Sequence, residues 1–491
     1  MKLSALIECL PCAAEILGDV RDVEITVLCN DSRKVTPGAL FFCTPGVRMD
    51  AHKFAPHAVE KGAAALVVER RLDIDVPQVK VPDVRAAISY MAAEFFGHPA
   101  DALMMLGITG TKGKTTTSFL IKSILEEAGM KVGLIGTVCS MIGDETIPAQ
   151  LTTPDPIETQ QLLRRMSDAG CKCVVMEVSA HALDMQRLAG VKFKVGAFSN
   201  FSQDHLDYFE DMDAYFAAKM KFFAPGVCEE IVYNVDDERV SAGIAALGRP
   251  ALRIGIRESA DVYANDIEIG ERGCSFLMTW HKKFRISISL RLAGIFNVYN
   301  ALMAAGICIC AGMGPEAIRR GLEAVRAVPG RIELLETDTP YRVILDYAHS
   351  PDSLENILQA VRQTTRGRMI ALFGCGGNRD AAKRPLMGEI AGKLSDFCIL
   401  TSDNPRNEDP MDILDAIEEG IKPTGCDYIV IENRREAIRR ALSLAQPGDV
   451  VVLAGKGHET YQDIKGVKHP FDEKIVVAEL LSELGVKPEE V

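Results

Sequence analysis

The chain has 491 residues, 47% of them hydrophobic and 25% charged, and 55 basic against 68 acidic side chains leave a net charge of −13. A prior of ~150 residues per domain suggests about three domains, and the acidic balance excludes a nonspecific nucleic-acid or anionic-membrane binder. No apolar run reaches transmembrane length and the opening MKLSALIECLPCAAEI lacks a secretory cleavage pattern, so a cytoplasmic protein without membrane insertion is expected.

In the first block, to about Pro99, Leu3, Leu6, Ile7 and Leu10 have helical spacing. ALFFC and AAALVVE read as strands, and AHKFAPHAVEKG as an amphipathic segment. A second block, from about Asp101 to Ala327, opens on the strand-like LMMLGIT and reads as α/β. Val328–Glu333, VPGRIE, then punctuates the chain. In the third block YRVILDY, RMIALFG, DFCILTS, DYIVIEN and DVVVLAG alternate with helical patterns near 351–364, 383–394, 410–420 and 433–445. That rhythm predicts a doubly wound parallel sheet, with Ser350 and Pro351 as cap and first turn of its first helix. Ligands of such sheets gather beyond the carboxyl ends of the strands, where DYAHSP, GCGGNRD, SDNPR and GKGHE all fall. The 14 cysteines include a CxxC at Cys9 and Cys12 but no second pair at zinc spacing. Most, such as Cys173, Cys310 and Cys398, sit in apolar runs and read as small core residues.

The second block carries a strand, a glycine-rich turn and a helix in LMMLGITGTKGKTTTSFLIKSILEEAG. Gly110 and Gly113 permit the turn, and the helix is expected from about Lys114 to Gly129. Its backbone N–H groups and dipole suit phosphate, with Lys114 reaching the outer phosphates and Thr115 placed for Mg²⁺. Ile108 stands where the strict phosphate-loop pattern wants glycine. Downstream, Glu177 ends an apolar run as an acid near the metal should, followed by His181 and Asp184. His205 lies between Asp204 and Asp207, a candidate metal ligand. These residues alone describe a magnesium-nucleotide enzyme of unspecified reaction.

GTKGKTT, TTPDP, MEVSAHALDMQR, NFSQDHLDYF, DYAHSPDSL and GKGHE, in that order over residues 110–459, resemble the Mur ligase family. NDSRKVTPGALFFC and DAHKF resemble the uridine-nucleotide-binding domain of its diaminopimelate- or lysine-adding branch. The resemblance implies an α/β chain of three domains. These are a UDP-binding domain over 1–99, a central ATP-binding P-loop domain over 100–328 with a parallel sheet, and a Rossmann-like doubly wound amino-acid-binding domain over 329–491. It implies a ligase that phosphorylates the D-glutamate γ-carboxylate of UDP-MurNAc-L-Ala-D-Glu with ATP, then joins it to the amine of an amino acid.

Carried over by position, the ATP-binding residues are Gly110, Thr111, Gly113, Lys114, Thr115, Thr116, Asn297, Arg331 and Asp346. Thr115, Glu177 and His205 resemble Mg²⁺ ligands. Lys219, in DAYFAAKMKFF, matches a family lysine that binds CO₂ as a carbamate, with a solvated helix lysine as the plain alternative. Lys114, Lys219 and His205 are the implied catalytic groups. Ser32, Thr152, Thr153, Ser179 and Arg187 match contacts to the nucleotide-sugar peptide, while Gln186 is left outside the site. The sequence DNPR resembles the diaminopimelate signature, with Arg406 on the distal carboxylate, since guanidinium is its bidentate partner. Asn404, Arg379, Asp403, Gly455 and Glu459 complete that set. A surface pair of Arg406 with Glu408 or Asp409 is the competing reading. A monomer acting on meso-diaminopimelate is expected; the alternatives are a lysine-adding ligase, a folate-polyglutamating relative, or a slow nucleotide-hydrolysing regulator.

Overall fold

The computed structural model describes residues 1–485 except 47, 48, 258, 259, 272, 281 and 282. The chain forms two compact units. The first comprises Met1–Thr109, Ala128–Ala197 and Ala217–Ile231. Its N-terminal sheet has the strand order Glu15–Leu17, Gln78–Lys80, Ala63–Val68, Ala39–Phe42, Val27–Cys29, parallel except for the first. ALFFC and AAALVVE therefore are strands, and their unbroken apolar runs suit parallel strands covered on both faces. The amphipathic segment divides into a short turn of helix, Ala51–Phe54, capped by Asp50, and the helix Ala55–Glu60. Pro56 in its first turn loses no hydrogen bond there.

The same unit contains the strand Cys173–Glu177, parallel to Met104–Thr109 on one side and Val132–Ile135 on the other. An antiparallel hairpin, Cys139–Ile142 and Glu145–Pro148, extends it beyond Val132–Ile135.

The second unit comprises Gly110–Glu127, Phe198–Phe216 and Val232–Val491. The phosphate-loop helix, Lys114–Glu127, packs against the helices Ile295–Cys310 and Pro315–Ala324. An antiparallel meander of Val262–Gly270, Gly273–Trp280 and Phe284–Leu290 interrupts the expected α/β pattern. Its first strand alternates half-buried and exposed residues from Asn265 on, the period-two mark of a sheet with one wet face.

The C-terminal sheet runs Glu333–Leu334, Arg342–Asp346, Val450–Ala454, Met369–Phe373, Phe397–Leu400, Asp427–Val430. The last five strands are parallel, as the sequence rhythm predicts, and the two-residue antiparallel edge is added to them. Helices Pro351–Thr364, Lys383–Leu394 and Pro410–Ile421 cover one face through Leu354, Leu358, Met387 and Ile417. Helices Arg434–Leu444 and Glu473–Leu484 cover the other through Ile438, Val477 and Leu480. The sheet is thus doubly wound. Ser350 caps the first helix reciprocally with Ser353. Cys173 and Cys398 are core residues, but Cys310, at the end of its helix, is only half-buried.

A buried ion pair ties two of the ligand-side strand ends together. The Arg434 guanidinium donates to Glu473 at 2.7 Å, to the Ala454 carbonyl at 2.9 Å and to the Ser402 carbonyl at 3.4 Å. Both charged side chains are fully buried. Arg434→Met would leave Glu473 charged and unpaired in the core, and such half-broken pairs cost about 3–5 kcal/mol. Urea denaturation should show that loss, and Glu473→Leu on the same background should recover part of it.

Candidate active site

The phosphate loop is held open by its neighbours in the second unit. Asn200 clamps Lys112 from both sides, accepting from its N–H at 2.8 Å and donating to its carbonyl at 3.0 Å, and Ser199 donates to the same carbonyl at 2.8 Å. Gly113 adopts φ +83°, and a Cβ there would lie 2.3 Å from Asn300 Oδ1, so the turn requires glycine. Lys114 curls back, its ammonium 2.9 Å from the Gly110 carbonyl and 3.1 Å from that of Thr111. Thr115 and Thr116 are buried at the helix start, and Thr111 donates to the Ser202 carbonyl at 3.2 Å.

Arg331 reaches this loop from the third sequence block, donating to Thr115 Oγ1 at 3.2 Å. Its Nε is buried without a hydrogen-bond partner, and its guanidinium lies 5.1 Å from the Tyr347 ring centre. Asp346 is buried beneath it, accepting from the Ile332 and Ala348 N–H groups at 2.8 Å each. Burial pushes the Asp346 carboxyl upward, against the pull of Arg331 and those two N–H groups. Asn297 accepts from Asn300 at 2.9 Å at the start of the supporting helix.

Lys112, a second loop lysine that the sequence reading passed over, donates to Asp204 at 3.1 Å and to Ser350 Oγ at 2.7 Å. Burial alone would raise the Asp204 carboxyl, but Lys112 and His205 hold it well below the usual carboxylate range. Burial together with Lys112 and Lys383 drives His349 down to about 3, so this ring is neutral at physiological pH.

The strand ends of the C-terminal sheet form a second polar cluster. Asn404 Nδ2 donates to Glu459 Oε2 at 2.8 Å, while its Oδ1 accepts from the Asp463 N–H at 2.9 Å. Asp403 is buried, and its Oδ1 has no hydrogen-bond partner. Gly455 packs beside Asp403 Oδ2. Tyr347 joins the two clusters, its hydroxyl 3.4 Å from Glu459 Oε1 and its ring beneath Arg331.

Arg406 is half-buried with φ +51°. Its Nη1 donates to the Gly377 carbonyl at 2.7 Å, and its Nε lies 4.0 Å from Asp463. Gly376 leaves room for this guanidinium: a Cβ there would stand 2.8 Å from Nη1. Neither suggested surface partner takes it. Glu408 pairs with Arg384 at 2.7 Å, and Asp409 caps the helix Pro410–Ile421. Arg379, half-exposed, pairs instead with Asp207 at 3.1 Å.

In the first unit, Thr153 donates to the Glu177 carbonyl at 2.7 Å, and the Ser179 N–H donates to Thr153 Oγ1 at 3.0 Å. Arg187 donates to the Thr153 carbonyl at 2.8 Å, and Thr152 Oγ1 lies 3.1 Å from Thr137 Oγ1. Thr137 in turn donates to Glu177 Oε2 at 2.8 Å, so these residues form one network. Ser32 sits in the short turn Ser32–Lys34, capped by Asp31. Burial and Asp155 raise the Glu158 carboxyl, and Lys34, in this same turn, opposes that rise. Gln186 is bound to Asp83, and its carbonyl accepts from Ser89 at 2.8 Å, a tie within the scaffold.

Glu177 is fully buried at its strand end. Lys219 is 1% exposed, whereas Lys221 is half-exposed and paired with Asp184 at 2.8 Å. His205 has φ +58° in its loop in the other unit. Among the described residues no three His, Cys, Asp or Glu side chains converge as a metal cage. No described helix is long and apolar enough to cross a membrane.

Three family profiles match the chain. The Mur ligase family catalytic domain matches residues 24–96, the Mur ligase middle domain 108–308 and the Mur ligase glutamate ligase domain 330–457. The chain is 45% identical to the UDP-N-acetylmuramoyl-L-alanyl-D-glutamate--2,6-diaminopimelate ligase of Caldanaerobacter subterraneus subsp. tengcongensis, over 94% of this chain and 96% of that one. It is 43% identical to the enzyme of the same name from Syntrophomonas wolfei, over 98% and 99%. A solved structure of a ligase with that name superposes with a TM-score of 0.69 at 32% identity, over 98% of this chain and 99% of the other. The chain belongs to the Mur ligase family.

Proposed function

We propose that this protein joins meso-diaminopimelate to the D-glutamate γ-carboxylate of UDP-MurNAc-L-Ala-D-Glu, using ATP, in peptidoglycan precursor synthesis. The observation that carries the amino-acid choice is Arg406, a half-buried guanidinium that Glu408 and Asp409 leave to other uses. A bidentate donor there matches the distal carboxylate of diaminopimelate, a group lysine lacks. Asn404 stands beside Arg406 and Arg379 adds a second guanidinium, while Asp403, Gly455 and Glu459 take the ammonium and backbone end.

The γ-phosphoryl group passes from ATP to a carboxylate oxygen, releasing ADP. The amine of the incoming amino acid then attacks the acyl carbon and loses a proton. The C–O bond to phosphate breaks, and an amide remains. Such transfers need alignment and charge neutralisation more than covalent help from the protein. Gly110, Thr111, Gly113, Lys114, Thr115 and Thr116 hold the phosphates, with Asn297, Arg331 and Asp346 around the nucleotide. The orphan Nε of Arg331 supports that role. Mg²⁺, when bound, neutralises phosphate charge and polarises the reacting oxygens. Thr115, Glu177, His205 and a carbamate on Lys219 are the proposed ligands, the buried Glu177 carboxylate being a hard oxygen donor of the type Mg²⁺ prefers. A lysine ammonium cannot ligate a cation, whereas its carbamate offers an anionic oxygen.

Residues 1–99 take the UDP end, with Ser32 at the uracil, and Thr152, Thr153, Ser179 and Arg187 hold the muramoyl peptide. Residues 100–328 bind ATP, and 329–491 bind the amino acid. We further assign the protein to the cytoplasm, as a monomer. Phosphate release from the purified chain should require ATP, the UDP-MurNAc-dipeptide and meso-diaminopimelate together, and lysine should be a poor substitute. Turnover independent of the amino acid, or equal turnover with lysine, would reject the reading.

A further inference from the structure

Lys456 lies between Gly455 and Gly457, just past the strand Val450–Ala454, and its side chain is fully buried. A buried lysine is costly unless its ammonium is surrounded by acceptors. Here Nζ donates to Glu459 Oε2 at 3.1 Å and to Asn404 Oδ1 at 3.2 Å, stands 3.6 Å from Asp403 Oδ1, and lies 5.7 Å from the Tyr461 ring centre. The two acceptors, Glu459 and Asn404, and the nearby acid Asp403 all belong to the set assigned above to the amino-acid substrate.

These contacts have two consequences. Asn404 Oδ1 is occupied by Lys456 and the Asp463 N–H, which fixes the amide so that its Nδ2 donates to Glu459. Glu459 Oε2 is then taken by Lys456 and Asn404, leaving Oε1, which accepts only from the Tyr347 hydroxyl at 3.4 Å, as the oxygen with a lone pair for a ligand. Lys456 also changes the charge of the cluster. Arg379 is paired with Asp207 and Arg406 faces Asp463, so each guanidinium already has an acid of its own. The Lys456 ammonium therefore offsets one of the two remaining acids, Asp403 and Glu459. A ligand with two carboxylates and two ammonium groups is electrically neutral, whereas lysine is a net cation, which an uncompensated acid pair would attract.

We propose that Lys456 is a positioning residue that orients Glu459 and Asn404 and, by its charge, helps the site prefer meso-diaminopimelate over lysine. This rests on the ligase reading above. Specificity then comes partly from a charge built against the wrong ligand and partly from Arg406 gripping the right one.

The test is steady-state phosphate release with the intact chain and all three substrates, comparing wild type with Lys456→Met. Hydrogen bonds to charged groups suggest a rise of about 10- to 100-fold in KM for meso-diaminopimelate. KM for ATP should stay within about twofold, because a group beyond the nucleotide leaves its binding unchanged. Discrimination against lysine, as the ratio of kcat/KM values, should fall about tenfold or more. Should the methionine variant fail to fold, Lys456→Gln keeps an N–H donor without the charge, and the same loss of discrimination is expected. An unchanged KM for diaminopimelate in a folded variant overturns the proposal. Equal rises in all three KM values with a lowered melting temperature make Lys456 a structural residue and also overturn it. Wild type that needs no diaminopimelate for turnover would remove the ligase reading and this proposal with it. Wild type that does need it, beside an unaffected variant, rejects Lys456 alone.

Discussion

Arg406→Ala should lower kcat/KM for meso-diaminopimelate by about 10²- to 10⁴-fold, since truncating one partner of a hydrogen-bonded charge pair costs about 2–5 kcal/mol. The substitution removes a guanidinium whose own framework is modest: one bond to the Gly377 carbonyl and a distant acid at Asp463. The fold should therefore survive, since the Arg406 backbone still bridges to Asp463 and Lys465 through its own N–H and carbonyl. Alanine must hold the positive φ without a side chain to help, which adds a small backbone cost. Arg406→Lys is the sharper control, keeping the charge but not the planar fork, and it should recover only a small part of the activity. Phosphate release against diaminopimelate concentration reads both. Near-wild-type kinetics in the alanine variant would refute the assignment of Arg406 to the distal carboxylate.

Lys219→Ala should reduce turnover by at least about 10²-fold, the scale of losing one preorganised electrostatic contact to the transition state. Short carboxylates such as acetate should restore part of it by standing in for the carbamate oxygen. The carbamate forms when the neutral amine attacks CO₂, making an N–C bond and releasing a proton. Intact-protein mass measurement under gentle conditions should accordingly show the added mass of CO₂ in wild type and not in the variant. A fully active variant that ignores added carboxylate would leave Lys219 as a packing residue. Burial is what separates this position from its neighbour. Lys219 is 1% exposed, while Lys221, two residues on, reaches solvent and pairs with Asp184.

Much of the C-terminal sheet was legible because its signals are local. Runs such as VVVLA and MIALF are fully apolar since both faces of a parallel strand are covered, and two of the helices between them, Pro351–Thr364 and Pro410–Ile421, carry proline and caps at their starts. The meander over 262–290 was not read, although its alternating burial was there to find. Its period-two signal lies in a segment dominated by α/β expectations. Among the site residues, the phosphate loop and the DNPR turn are contiguous in sequence and so could be quoted whole. Lys112 finds its partners, Asp204 and Ser350, far along the chain, and what distinguishes Lys456 is its burial, which its neighbour Glu459 does not reveal.

The sequence by itself determined which chemical groups stand at the strand ends: a phosphate loop, an amide beside an arginine, and acids after glycine-rich turns. Only the tertiary structure decided which charges are spent on one another. Glu408 and Asp409 are near Arg406 in sequence, yet Arg384 and a helix N-terminus claim them. Asn404 finds Glu459 from 55 residues away, and Lys112 finds Ser350 from 238. Side-chain type is written residue by residue, but the worth of a charge depends on its distance from other charges and on its burial, and folding alone sets both.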